Sequence, residues 1–127
     1  MKIYHLIANR FLSRPEIPEQ LEKLKSLADV DQESFLMKTR KTMEAIVNEL
    51  LSDADASQEV SSYTLFEKLK YLEDHNRLPK TTATFFHTIR KLGNLGAHEA
   101  KDIRLSDSEI DTILSMLAYV MRWHKNQ

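Results

Sequence analysis

Two histidines, two cations and an amide recur on one face of a single predicted helix: His87, Arg90, Lys91, Asn94 and His98. At about 100° per residue they fall together on a helical wheel, opposite an apolar set made by Phe85, Ile89, Leu92 and Gly96. A solvated helix face is normally Glu and Lys, yet this one carries no acid before Glu99. Asn94 and His98 are four residues apart and so are neighbours on the helix surface. Histidine is the side chain best suited to general acid–base work near neutrality. Arginine or lysine holds phosphate, and asparagine can orient a water or an imidazole. A base for a 2′-hydroxyl, a cation for a developing phosphorane and a positioning group are the parts of a metal-independent ribonuclease. The same residues admit a purely structural account, in which Asn94 ties a local turn and His98 bridges helices.

The chain holds two glycines, Gly93 and Gly96, and both lie in this window. A glycine inside a helix costs about 1 kcal/mol relative to alanine, so two within one turn need a cause. Either a neighbouring helix approaches closely there or the helix bends. Gly96 falls on the buried stripe and Gly93 at its edge. On an earlier helix Arg40 and Glu44 form an i,i+4 pair between Lys38 and Lys41. If exposed, such a pair contributes only a few tenths of a kcal/mol. No phosphate-binding glycine loop, dinucleotide fingerprint, zinc-protease motif or nucleophile elbow is present. The five histidines show no ligand spacing, so neither a metal nor a cofactor is expected.

A length of 127 residues fits one domain. The absence of cysteine excludes disulfides, thiolate nucleophiles and cysteine–zinc sites. No apolar run approaches the roughly 18 residues of a membrane span. The N-terminal stretch, broken by His5, Asn9 and Arg10, lacks a signal-peptide core; a cytoplasmic protein with no membrane partner is expected. The net charge of −1 gives no global pull toward nucleic acid. Its distribution is uneven, with a net of +3 from Glu67 to Lys91 and −3 from Leu92 to Ser115. The basic zone is either a phosphate-facing surface or a solvated helix face.

Three prolines and two glycines in the whole chain favour long helices over a turn-rich β fold. The predicted architecture is an all-α, up-down bundle of about five helices. Residues 1–28 are expected to be an N-terminal arm or short helices, and 29–127 the bundle proper. Residues 2–12 form either a short helix or an extended arm, and Arg14–Pro18 is a break. Leu21, Leu24 and Leu27 mark a short helix over Glu19–Ala28. Asp31 is positioned to cap a helix from about Gln32 to Leu51 with Leu36, Met43, Val47 and Leu50 as its stripe. Ser52–Ser62 is polar and small, and reads as a loop. Thr64 and Glu67 form a capping box before Leu65, Phe66, Leu69 and Leu72, in a helix ending near His75–Asn76. Pro79 opens the helix that carries the site. Ser106 and Glu109 form a second capping box, before a stripe of Ile110, Ile113, Leu114, Leu117, Val120 and Met121 running to about Trp123.

The segments Thr39–Val47 (TRKTMEAIV), Leu65–Leu69 (LFEKL), Leu78-Pro79 and Ile89–Glu99 (IRKLGNLGAHE) resemble a bacterial helical domain of unknown function. That domain occurs alone or attached to restriction-enzyme motor subunits, and it is similar to the HEPN (higher eukaryotes and prokaryotes nucleotide-binding) superfamily. The resemblance covers roughly residues 30 to 124. It implies a helical bundle, a homodimer, and a setting in defence, toxin–antitoxin or RNA-processing systems, with RNA or a protein of such a system as partner. Many HEPN proteins are metal-independent RNases using an arginine, an adjacent polar residue and a histidine about four residues later. Asn94 matches the polar position and His98 the histidine, while the arginine position falls on Gly93. Arg90, one turn earlier, and Lys91 are then the cations left for phosphate. Arg40 and Glu44 match the superfamily's Arg-x-x-x-Glu positions, which would direct them toward Asn94 and His98. Three functions follow as expectations: an RNA-binding or regulatory module without strong catalysis, an endoribonuclease using Asn94 and His98, or a protein-interaction domain with a structural Asn/His motif.

Overall fold

The computed structural model describes residues 19–54, 56–98 and 104–127, with side chains in the helix from Lys80 described as far as Asn94. The expected arm at residues 2–12, the Arg14–Pro18 break, the surroundings of Gly96 and the His98 side chain lie outside the described residues. Among the described residues the chain is all-α, a helical bundle. Its elements are α1 (Glu19–Val30), α2 (Gln32–Asp53), α3 (Gln58–Ser61), α4 (Leu65–Asp74), α5 (Lys80–His98) and α6 (Asp107–Lys125).

The helix boundaries follow local chemistry. Asp31 accepts from the Ser34 backbone N–H at 3.1 Å and opens α2. Thr64 with Glu67, and Ser106 with Glu109, close reciprocal capping boxes at α4 and α6. The end of α4 is a Schellman turn. Asn76 takes a left-handed φ of 57°, Arg77 N–H donates to the Leu72 carbonyl at 2.8 Å, and Asn76 N–H donates to Glu73 at 3.1 Å. Asparagine tolerates that conformation better than other residues with a Cβ. The Pro79 carbonyl then accepts from Ala83 N–H at 2.8 Å and starts α5.

Six helices rather than five are present among the described residues because α3 interrupts the expected Ser52–Ser62 loop. Its cause is Val60, the one large apolar residue of that polar stretch. It is buried in the core, and the single turn around it is closed by Tyr63 N–H to the Val60 carbonyl at 3.0 Å.

One apolar cluster spans the bundle, and the pairing of α2 with α5 is its most extensive contact. Phe35, Met43 and Val47 of α2 and Phe85, Phe86 and Ile89 of α5 all lie in this cluster and are essentially inaccessible to water. Each such side chain contributes about 1.5–3 kcal/mol by leaving water. Leu69 and Leu72 of α4 and Leu114, Leu117 and Val120 of α6 complete the same cluster, and Leu21, Leu24 and Ala28 bring α1 into it. Gln32 bonds reciprocally to the Leu105 backbone, accepting from its N–H at 2.7 Å and donating to its carbonyl at 3.1 Å. That pairing fixes the segment entering α6 against the start of α2. No described helix is long and apolar enough to cross a membrane.

Candidate functional site

The α2–α5 pairing sets the geometry of the site. Arg40, midway along α2, is half-buried and donates from Nε to Glu44 Oε1 at 2.8 Å. Its Nη1 reaches across to α5 and donates to Asn94 Oδ1. Arg40 is thus shared between an acid on its own helix and an amide on its neighbour, and the pair is not a free solvent-facing one.

Gly93 makes that crossing possible. A Cβ built there would stand 3.0 Å from Arg40 Cβ and 3.3 Å from its Cδ. The arginine stem lies directly against the glycine backbone, so the first glycine of the window serves close helix approach. Helix α5 runs on through it. An arginine at position 93 would meet the Arg40 stem, and the cation beside Asn94 comes instead from α2.

Arg90 lies one turn before Asn94 and is also half-buried. Its guanidinium carbon sits over the Phe66 ring of α4, 5.1 Å from the centroid. Burial, and then the like charge of Arg40, hold its pKa below the usual arginine value. No carboxylate among the described residues pairs with it, and its buried Nε has no hydrogen-bond partner. His87 is positioned by α4 as well. Its Nε2 lies 3.1 Å from Glu73 Oε2, and its ring is 5.6 Å from Phe66 at 52°. His87 Nδ1 is buried without a partner.

The expected residues therefore divide. Arg40, Glu44 and Asn94 form one hydrogen-bonded chain with Arg90 within electrostatic reach. His87 joins Arg90 around Phe66. Lys91, on the same helix, is exposed. Within the basic zone, Lys68 turns to α2 and donates to Asn48 Oδ1 at 2.9 Å, while Lys70, Arg77 and Lys80 are exposed.

Phe66 and Glu73 were not singled out by sequence reasoning. Phe66 stands beside Leu65, Leu69 and Leu72 in the sequence of α4, yet it is 48% exposed. The signal was its phase. Leu65, Leu69 and Leu72 keep helical spacing, and Phe66 falls about 100° from Leu65. A cavity of about 350 Å³ opens elsewhere, between Leu51, Ser57 and Lys68, and none of the expected site residues lines it. Among the described residues no three His, Asp or Glu side chains gather as a metal would require.

An all-helical bundle with an Arg–Glu–Asn tie between two central helices is the class of protein that fold and site define. Over residues 22–124 the chain matches the model of the family described as domain of unknown function (DUF4145), and it belongs to that family. Comparison with curated proteins and with solved structures gives no match.

Proposed function

We propose that this chain is a HEPN-like helical module that binds RNA through backbone phosphates, in bacterial defence or nucleic-acid processing, without strong catalysis. The observation that carries the reading is Arg90. It is a partly desolvated cation, disfavoured by its neighbour Arg40, and among the described residues it has no acid against it and a buried Nε without a partner. A phosphate at the exposed part of the guanidinium would supply the missing countercharge. Glu44 offsets Arg40 and Glu73 faces His87, so Arg90 is the surplus charge of the cluster. The order of sequence motifs supports the HEPN-like affiliation and, with it, a homodimer.

Binding of single-stranded RNA by wild type and Arg90→Gln, across about 50 to 200 mM salt, tests the reading. Wild-type affinity should fall steeply with salt, and the variant should bind more weakly, with a log–log slope shallower by about 0.7. No saturable binding by wild type at low salt would sink the proposal and direct attention to a protein partner.

A second reading, metal-independent RNA cleavage, is favoured by the two cations beside Asn94. Arg40 reaches Asn94 from α2 and Arg90 lies one turn before it on α5, whereas position 93 is glycine. The same mixtures held in EDTA, with His98→Ala alongside, decide it. Cleavage that disappears in a stably folded variant would establish the RNase, and intact RNA throughout would exclude it.

A further inference from the structure

Phe66 stands apart from the core. Its α4 neighbours Leu65, Leu69 and Leu72 are buried, whereas nearly half of Phe66 faces solvent. It is the one aromatic among the large apolar side chains exposed in the described residues. The ring is carried on a rigid turn. Thr64 N–H donates to Glu67 Oε1 at 2.9 Å and Glu67 N–H donates to Thr64 Oγ1 at 3.2 Å, closing the capping box on either side of it. From α5, Arg90 and His87 both approach the ring. Each of those two side chains keeps one buried polar atom without a partner.

We propose that Phe66 and Arg90 together seat an unpaired nucleobase and its adjoining phosphate, the base stacking on the open part of the ring while the phosphate meets the guanidinium. The proposal rests on the phosphate-binding reading above and adds the substrate class. Stacking on an exposed aromatic demands a base with a free face, which a paired and stacked duplex does not offer. The cation beside the ring lies within one nucleotide's reach of it, and among the described residues no acid pairs with it. The shared chemistry, base plus phosphate, is offered by a single strand or by a free nucleotide.

The test measures affinity for oligoadenylate of about ten nucleotides, for a blunt RNA duplex and for AMP. Wild type is compared with Phe66→Leu, Phe66→Trp and Arg90→Gln, each checked by circular dichroism. The expected result is preference for the single strand over the duplex. Phe66→Leu should lose at least about fivefold in single-strand affinity with an unchanged salt slope, and Phe66→Trp should retain it. Loss in the leucine variant with retention in the tryptophan variant separates stacking from mere apolar packing. AMP binding as tightly as the oligomer, with the same dependence on Phe66, keeps the seat and assigns it to a free nucleotide. Wild-type RNA binding that depends on Arg90 but is indifferent to Phe66→Leu, or equal for duplex and single strand, overturns this inference and leaves the phosphate reading standing. Absence of any RNA or AMP binding by wild type overturns both.

Discussion

At Gly93 a missing side chain has a measurable consequence. Glycine to alanine inside an uncrowded helix raises stability by about 1 kcal/mol. Here the new methyl would stand 3.0 Å from Arg40 Cβ, an atom close to the α2 backbone that cannot swing aside. Overpacking of this kind costs about 1–3 kcal/mol, so Gly93→Ala should lower stability by about 1 kcal/mol in denaturant unfolding. A stabilised variant would show that α2 and α5 are not in close approach there. Asn94→Ala removes the acceptor of Arg40 Nη1. Since the arginine side chain is 30% exposed, water offsets part of the loss, and the expected cost is about 1 kcal/mol. Asn94→Asp keeps an acceptor and adds a charge between two arginines, and it should melt above the alanine variant. The Arg40–Glu44 pair was legible from its spacing, and so was the polar face of α5. The Arg40–Asn94 bond was not legible from periodicity, in which a contact across 54 positions leaves no trace, and only the family resemblance directed Arg40 toward Asn94. Spacing likewise allowed either a close approach or a bend at Gly93, and only the packed geometry selects the first.

Helix ends were the best-read elements, because caps are local chemistry written in consecutive residues. Asp31 and the two capping boxes stand where the side-chain sequence placed them. The caps also set an acid sensitivity. Backbone and then side-chain hydrogen bonds from Thr64 hold the Glu67 carboxyl below its usual range, and Ser106 does the same for Glu109. A carboxylate with a lowered folded pKa contributes stability that is complete above the ordinary glutamate value of about 4.3 and is lost as pH falls through the folded value. Thermal melts should therefore fall for wild type between about pH 5 and pH 3, and fall less for the double variant Glu67→Gln/Glu109→Gln. Equal slopes in the two proteins would assign the acid sensitivity elsewhere. Two features at this scale escaped the sequence. Helix α3 depends on one valine finding the core, which a polar composition conceals. The Gln32–Leu105 pairing joins residues 73 apart, and Gln32→Ala should cost about 1–2 kcal/mol by leaving a part-buried N–H and carbonyl unpaired.

For the whole molecule, the question is where the cooperative unit begins. Scarce glycine and proline made the all-α class legible, whereas the sequence left open how residues 1–28, read as an arm or short helices, join the bundle. The described part of that stretch contributes Leu21, Leu24 and Ala28 to the same apolar cluster as the rest, and α1 packs on both α2 and α6. Leu21 is 2% exposed, so Leu21→Ala removes buried surface and leaves a cavity, at a cost of about 2–4 kcal/mol. Against a typical domain stability of about 5–15 kcal/mol that loss is large. The chain's single tryptophan, Trp123, lies far along α6 and packs against the cluster. It sits on α6 rather than on α1, so its fluorescence reports on the bundle. If α1 is part of one cooperative fold, Leu21→Ala shifts the Trp123 fluorescence transition and the helical circular-dichroism transition together, with an unchanged denaturant slope. If α1 is an appendage, the fluorescence midpoint stays at its wild-type value while part of the helical signal is lost early. Burial of three α1 side chains in the common core favours the first outcome, with α1 inside the cooperative unit.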